Sequence, residues 1–267
     1  MTKTRIGVVD YLNAQPLIEG LESDRNAKII RDTPSRLSDM LQVGKLDVAL
    51  VSSVECFRHP EFRILPEVGV CSEGAVRSVK LYSHNAPEKA QRIALDRSSR
   101  SASTLTKVVY LEFFQQTEVE FITAEPTTRP SEVDADAVLL IGDAALQADP
   151  EDMTVTDLGA LWTERTGLPF VYAVWACREG TNVERLLPTL LKARDRGLPL
   201  RPRLAQDAAK KMKLPVAALT QYLTKNLRYE LGEREIKGLE RFRDLAAEHE
   251  LCSKHDVPFV GARVQPV

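Results

Sequence analysis

Five short polar segments hold the side chains with which this sequence could do chemistry. They are Asp10-Tyr11-Leu12-Asn13-Ala14-Gln15-Pro16-Leu17, Val51-Ser52-Ser53-Val54-Glu55, Cys71-Ser72-Glu73-Gly74-Ala75 with Arg77 and Ser78 close behind, Asp96-Arg97-Ser98-Ser99-Arg100-Ser101, and Gly142-Asp143-Ala144. Serine hydroxyls recur in them beside the single asparagine amide of Asn13, and no histidine lies among them. Neutral donors of this kind orient an oxygen-rich anion and stabilise charge that develops on it, without needing an unusual pKa. Three of the segments open helices. Free backbone N–H groups and the positive end of the helix dipole then favour an anion, and the hydroxyl-rich run Ser98–Ser103 is the strongest case. Each residue also has a plainer use. Asn13, Ser52 or Ser53, and Asp143 are all good helix caps. A common function therefore requires that the segments converge on one cleft.

Other chemistries lack their residues. Cys56, Cys71, Cys177 and Cys252 lie far apart with no CxxC pair, so neither zinc ligands nor a disulfide framework is indicated. His59, His84, His249 and His255 form no ligand pair. Gly69 and Gly74 have the glycine spacing of a phosphate loop, but Ala75-Val76 stands where Lys and Ser or Thr are needed. No GxSxG nucleophile elbow is present. No metal site is expected from these residues.

The elements that must position the polar segments alternate between strand and helix. Thr4–Asp10, Ala27–Asp32 and Leu46–Val51 read as strands, with a helix beginning at Pro34 and closed by Gly44. That order makes a βαβ unit and a parallel sheet. Val76–Tyr82, Arg92–Leu95, Val119–Thr123, Ala137–Ile141 and Phe170–Ala176 read as further strands, and the helix Leu105–Phe114 lies among them. Residues 182–251 show only helical spacing. In open parallel sheets ligands bind beyond the C-terminal strand ends, where the polar segments fall. We expect a two-lobed α/β fold with a ligand cleft. Residues 1–83 and 174–267 would form the first lobe and 84–173 an inserted second lobe, with crossovers near Tyr82-Ser83 and Tyr172-Ala173.

The 267 residues, 43% hydrophobic and 28% charged, fit a globular protein of one or two domains. A net charge of −2 gives no global attraction to nucleic acid or to an anionic membrane. The start passes directly into Ile6-Gly7-Val8-Val9 without an apolar leader, so a cytoplasmic location is expected.

The motifs together carry a resemblance. Tyr11–Leu17, Gly69–Ser78, Leu140–Leu146 and Asp157–Trp162 through Thr166–Val171 resemble, in order and spacing, the chorismate dehydratase family of the futalosine route to menaquinone. The helical tail matches it only in general character. The resemblance implies the type II fold of periplasmic binding proteins used by a cytoplasmic, cofactor-free enzyme. It implies that chorismate loses water to give 3-[(1-carboxyvinyl)oxy]benzoate. The family's key Asn falls on Asn13 and its key Ser on Ser78. Its Ser-Arg-Thr-Ser stretch corresponds to Ser99-Arg100-Ser101-Ala102, so Ala102 departs from the pattern. We expect Asn13 and Ser78 to be catalytic, with Ser52, Ser72, Ser99, Arg100, Ser101, Gly142 and Asp143 binding substrate. Arg77 and Arg100 are candidate carboxylate partners. With no obvious protein base, the enolpyruvyl carboxylate of the substrate itself is expected to take the ring proton. Three alternatives compete: the sibling 1,4-dihydroxy-6-naphthoate synthase, a non-catalytic binder of an aromatic or keto acid, and the effector lobe of a transcription regulator.

Overall fold

The computed structural model describes residues 3–260. Ten strands form two five-stranded sheets. The first takes β1 (Thr4–Val8), β2 (Ala27–Arg31), β3 (Val48–Ser52), β4 (Phe62–Ser72) and, from much later in the chain, β10 (Phe170–Arg178). Its order is β2-β1-β3-β10-β4. β1, β2 and β3 run parallel, and β10 runs antiparallel to both β3 and β4. The second sheet takes β5 (Val79–Ser83), β6 (Arg92–Asp96), β7 (Glu120–Ala124), β8 (Ala137–Ile141) and β9 (Thr154–Asp157), in the order β7-β6-β8-β5-β9. Here β6 is parallel to β7 and β8, while β5 is antiparallel to β8.

The helices that bear on the site are short. They are α1 (Gln15–Ile18), α2 (Pro34–Gln42), α3 (Glu55–Arg58), α4 (Arg100–Val108), α5 (Gly142–Gln147) and α6 (Leu158–Thr166). Three more, α7 (Val183–Met212), α8 (Val216–Gln221) and α9 (Glu233–Glu248), follow β10. Among the described residues no helix is long and apolar enough to cross a membrane. One large apolar cluster runs from β1 and β3 through Trp162, Phe170 and Trp175 to Phe242 on α9. A smaller one, around Tyr82, Val138 and Leu140, lies on the second sheet.

The expected βαβ unit is present, and β3 is wholly buried, as an uninterrupted apolar run requires. Several features differ from the sequence reading. First, β4 was read as no strand at all. Pro66 and Gly69 interrupt its pattern, Glu67 sits at φ +71°, and its register with β10 shifts twice. Such irregularity is tolerated because β4 is an edge strand. Second, Val76, Arg77 and Ser78 precede β5 rather than opening it. Third, the chain leaves the first sheet after Ser72, joins the second at Val79, and returns between Asp157 and Phe170. Tyr82-Ser83 and Tyr172-Ala173, the expected crossovers, lie inside strands whose hydrogen bonds assign β5 to the second sheet and β10 to the first. The tail is also not purely helical. Arg228 bridges Cys71 in extended form, exchanging N–H···O bonds of 2.8 and 2.9 Å.

Candidate active site

A narrow cavity of about 50 Å³ lies where the strand ends of the two sheets meet. That is far smaller than an ordinary small-molecule site, roughly 300–1,000 Å³. Asn13, Ser52, Ser78 and Ser99 line it, together with Gly142 and the hydroxyl-bearing rings of Tyr11 and Tyr172. Val9, Leu50, Val70 and Leu227 supply apolar wall. Five of the nine expected site residues therefore converge, from β1, β3, β5, β8 and the start of α4. No Lys, Arg, Asp or Glu is among the lining residues. An anion held here would be gripped by neutral donors.

Each lining group has a local cause. Asn13 sits in the single turn Leu12–Ala14 that follows β1, and its side chain interacts with the Tyr222 hydroxyl. Ser52 ends β3 opposite Ala173 of β10. Ser99 is the N-cap of α4, its hydroxyl accepting weakly from the Ala102 N–H at 3.4 Å. The first free N–H groups of that helix thus lie beside the cavity. Ser78 is 1% exposed and its hydroxyl has no partner among the described residues. Its carbonyl accepts from the Gly142 N–H at 2.8 Å, tying β5 to the start of α5. Gly142 lies at φ +57°, and a Cβ there would come within 3.2 Å of the Tyr11 ring. Glycine therefore serves both the left-handed turn and the close approach.

The other four expected residues stand behind the wall. Ser72 shares a 2.9 Å hydrogen bond with the Tyr172 hydroxyl, so it holds a lining residue rather than lining. Burial pushes the Tyr172 phenol well above its ordinary pKa, which keeps it a donor. Ser101 is fully buried, 3.0 Å from the Ser53 hydroxyl, and accepts from the Val54 N–H at 3.2 Å. Arg100 pairs with the buried Glu55 and, at 2.8 Å, with Asp39. Asp143 caps nothing on its own helix. Its Oδ1 accepts the Leu12 N–H at 3.0 Å, which fixes the Asn13 turn, and burial raises its pKa against that bond. Asp10, at the end of the first strand, is exposed and paired with Arg31.

Sequence reasoning missed Tyr172 and the role of Tyr11. The Tyr11 hydroxyl donates to Ser98 Oγ at 3.1 Å, and Ser98 bonds to Asp96. The first-strand loop is thereby anchored to the second sheet. A wider groove, about 660 Å³, shares Ser99 with the cavity and is lined by Arg36, Arg58, Arg97, Arg100 and Lys107 together with Asp96 and Glu125. Ser and Thr hydroxyls also line it, but Asn13 and Ser78 do not.

The sheet order, the cavity between strand ends and its neutral donors define a two-lobed α/β protein of the periplasmic-binding-protein-like fold. Solved structures agree. The alkanesulfonate-binding protein of Xanthomonas axonopodis pv. citri superposes with a TM-score of 0.66 at 16% identity, over 97% of this chain and 96% of its own. A protein of Archaeoglobus fulgidus reaches 0.71 at 15% identity, over 93% and 98%. A family model described as menaquinone biosynthesis matches residues 4–248, and the chain belongs to that family. The chorismate dehydratase of Thermus thermophilus is 31% identical to it, covering 90% of this chain and 93% of the relative. That of Campylobacter jejuni subsp. jejuni is 27% identical, covering 87% and 88%.

Proposed function

We propose that the protein is a chorismate dehydratase. It removes water from chorismate and releases 3-[(1-carboxyvinyl)oxy]benzoate, as a carbon–oxygen lyase of the futalosine route to menaquinone, in the cytoplasm and without a cofactor. The observation that supports this best is the meeting of Asn13 and Ser78 at one closed, uncharged, donor-rich cavity.

Chorismate carries two carboxylates and a ring hydroxyl. The ring C–H bond breaks, its electron pair becomes the new ring double bond, and the C–O bond breaks with it. The hydroxide leaves with a proton as water, and aromaticity supplies the driving force. The protein's work is orientation and stabilisation of developing charge. The Asn13 amide and Ser78 hydroxyl position the enolpyruvyl carboxylate, which takes the ring proton. Asp143 is held by the Leu12 N–H and lies outside the cavity wall, so no protein carboxylate is placed as base. Ser52, Ser99 and the free N–H groups at the start of α4 hold the second carboxylate. The cations around the wider groove draw the dianion toward the cavity. The two sheets act as two lobes whose closure shuts out water.

The test is incubation of the purified protein with chorismate, followed by proton NMR for the aromatic product. Catalytic conversion supports the proposal. Unchanged chorismate contradicts it, and would point to a binding protein or to the sibling enzyme.

A further inference from the structure

Two buried hydroxyls at the site have nothing to bond. Ser78 Oγ and Tyr222 Oη are both without surface and without a partner among the described residues, and each residue is only 1% exposed. A buried hydroxyl left unpaired is costly and calls for a reason. The two are neighbours. The Tyr222 hydroxyl faces Ser78 and Asn13 closely enough for both to lower its pKa against the rise that burial imposes. Neither contact reaches hydrogen-bond geometry. Tyr222 is not among the residues that line the cavity.

The backbone that carries Tyr222 is also unusual. Tyr222 opens the π-helical turn Tyr222–Asn226 at the end of α8. A π turn inserts a residue into the helical repeat, so it re-aims side chains, and it is found disproportionately at functional sites. At the other end of this turn Asn226 Nδ2 donates to the Ala75 carbonyl at 2.8 Å. One turn of the C-terminal segment therefore grips the loop that leads into Ser78 and sets a phenol beside the Ser78 hydroxyl.

We propose that Tyr222 is a positioning residue for the Asn13–Ser78 pair. Its O–H occupies a lone pair of Ser78 Oγ once substrate is bound, which turns the Ser78 proton toward the substrate oxygen. A serine hydroxyl has one proton and two acceptor sites, so filling an acceptor fixes where the proton points. Hydrogen bonds of this kind are often long in the free enzyme and tighten in the complex. The desolvation of Tyr222, reinforced by the charges of Asp143 and Asp157, keeps its proton in place. The inference rests on the proposed dehydratase reading.

The test compares wild type, Tyr222→Phe and Tyr229→Phe for kcat, KM and Tm on chorismate. Tyr229 is the control because its hydroxyl is equally buried and unpartnered, beside Tyr222, but faces neither Ser78 nor Asn13. For Tyr222→Phe we expect kcat to fall about tenfold to a hundredfold, with KM within about threefold. Its Tm should stay level or rise, because the hydroxyl removed bonds to nothing in the free protein. Tyr229→Phe should match wild type in kcat. An active wild type with an equally active Tyr222→Phe overturns this inference alone. So does a matching loss of kcat and Tm in both variants, which would mark the hydroxyls as structural. An inactive wild type overturns the dehydratase reading and takes this inference with it.

Discussion

The Asp157 carboxylate accepts the backbone N–H of Arg77 at 2.6 Å, and Arg77 lies in the left-handed region at φ +67°. A residue other than glycine pays a steric penalty there, and such conformations persist where the surroundings enforce them. The enforcement is visible. Asp157 also takes the Val76 N–H at 3.0 Å, while Thr163 takes the Gly74 N–H at 2.8 Å. The next residue is Ser78. The strained turn thus delivers the serine to the cavity, and Asp157 connects it to α6, whose Gly159 and Ala160 N–H groups the same carboxylate caps.

Asp157→Ala removes four hydrogen bonds to backbone, two of which cap α6. We expect a loss of roughly 2–4 kcal/mol in urea unfolding. At a temperature where the variant is still folded, kcat should fall about a hundredfold, since a small displacement of the serine disturbs the reacting geometry. Native stability with native kcat would show that the clamp is dispensable.

Arg100 separates support from binding. Its guanidinium faces Glu55, whose side chain is 1% exposed and also accepts from Ser38 at 2.6 Å. Arg100→Ala leaves that carboxylate with the Ser38 bond and longer contacts of 3.4 Å to Arg58 and 3.6 Å to His59. Removing one partner of a buried charge is expensive, so denaturant unfolding should show a loss of about 2–4 kcal/mol. The KM for chorismate should stay within about twofold. A tenfold rise in KM at unchanged stability would instead make Arg100 a substrate ligand.

Asp143 carries a pH signature. Burial raises its pKa above that of the unfolded chain, so its contribution to stability is fully present below the unfolded carboxylate range and is lost as pH rises through the raised value. Asp143→Asn keeps an acceptor for the Leu12 N–H and deletes the charge. The variant should melt higher than wild type at pH 7, and the gap should close as pH falls below about 4, the unfolded value. A gap that widens toward acid would mean that the charged form is the favoured one.

The strands were readable where burial on both faces leaves an uninterrupted apolar run, as in β3 and β8. Of the four edges, β2 and β7 were readable but β4 and β9 were not. β4 carries Pro66 and a bulge, and β9 is short and half exposed. At the site, residues flanking strand ends were found because the chain itself announces those ends. What each side chain meets was not legible. Ser72 bonds to Tyr172 a hundred residues on, and Leu12 meets Asp143 at still greater separation. The serines of α4 illustrate the point locally. Ser99 and Ser101 looked equivalent, yet two residues along a helix turn a side chain by about 200°. Ser99 consequently faces the cavity and Ser101 the Ser53 hydroxyl behind it. Tyr222 was invisible because it comes from the helical tail, where no motif marked it.

Asn13 and Ser78 carry the central claim, and single-turnover NMR with chorismate tests it most directly. Wild type, Asn13→Asp and Ser78→Ala are each mixed in excess with the substrate, and the appearance of aromatic protons is timed. Both variants should stay folded and form 3-[(1-carboxyvinyl)oxy]benzoate at least about a hundredfold more slowly than wild type, the loss typical of one preorganised donor. Near-normal rates in both would contradict the claim.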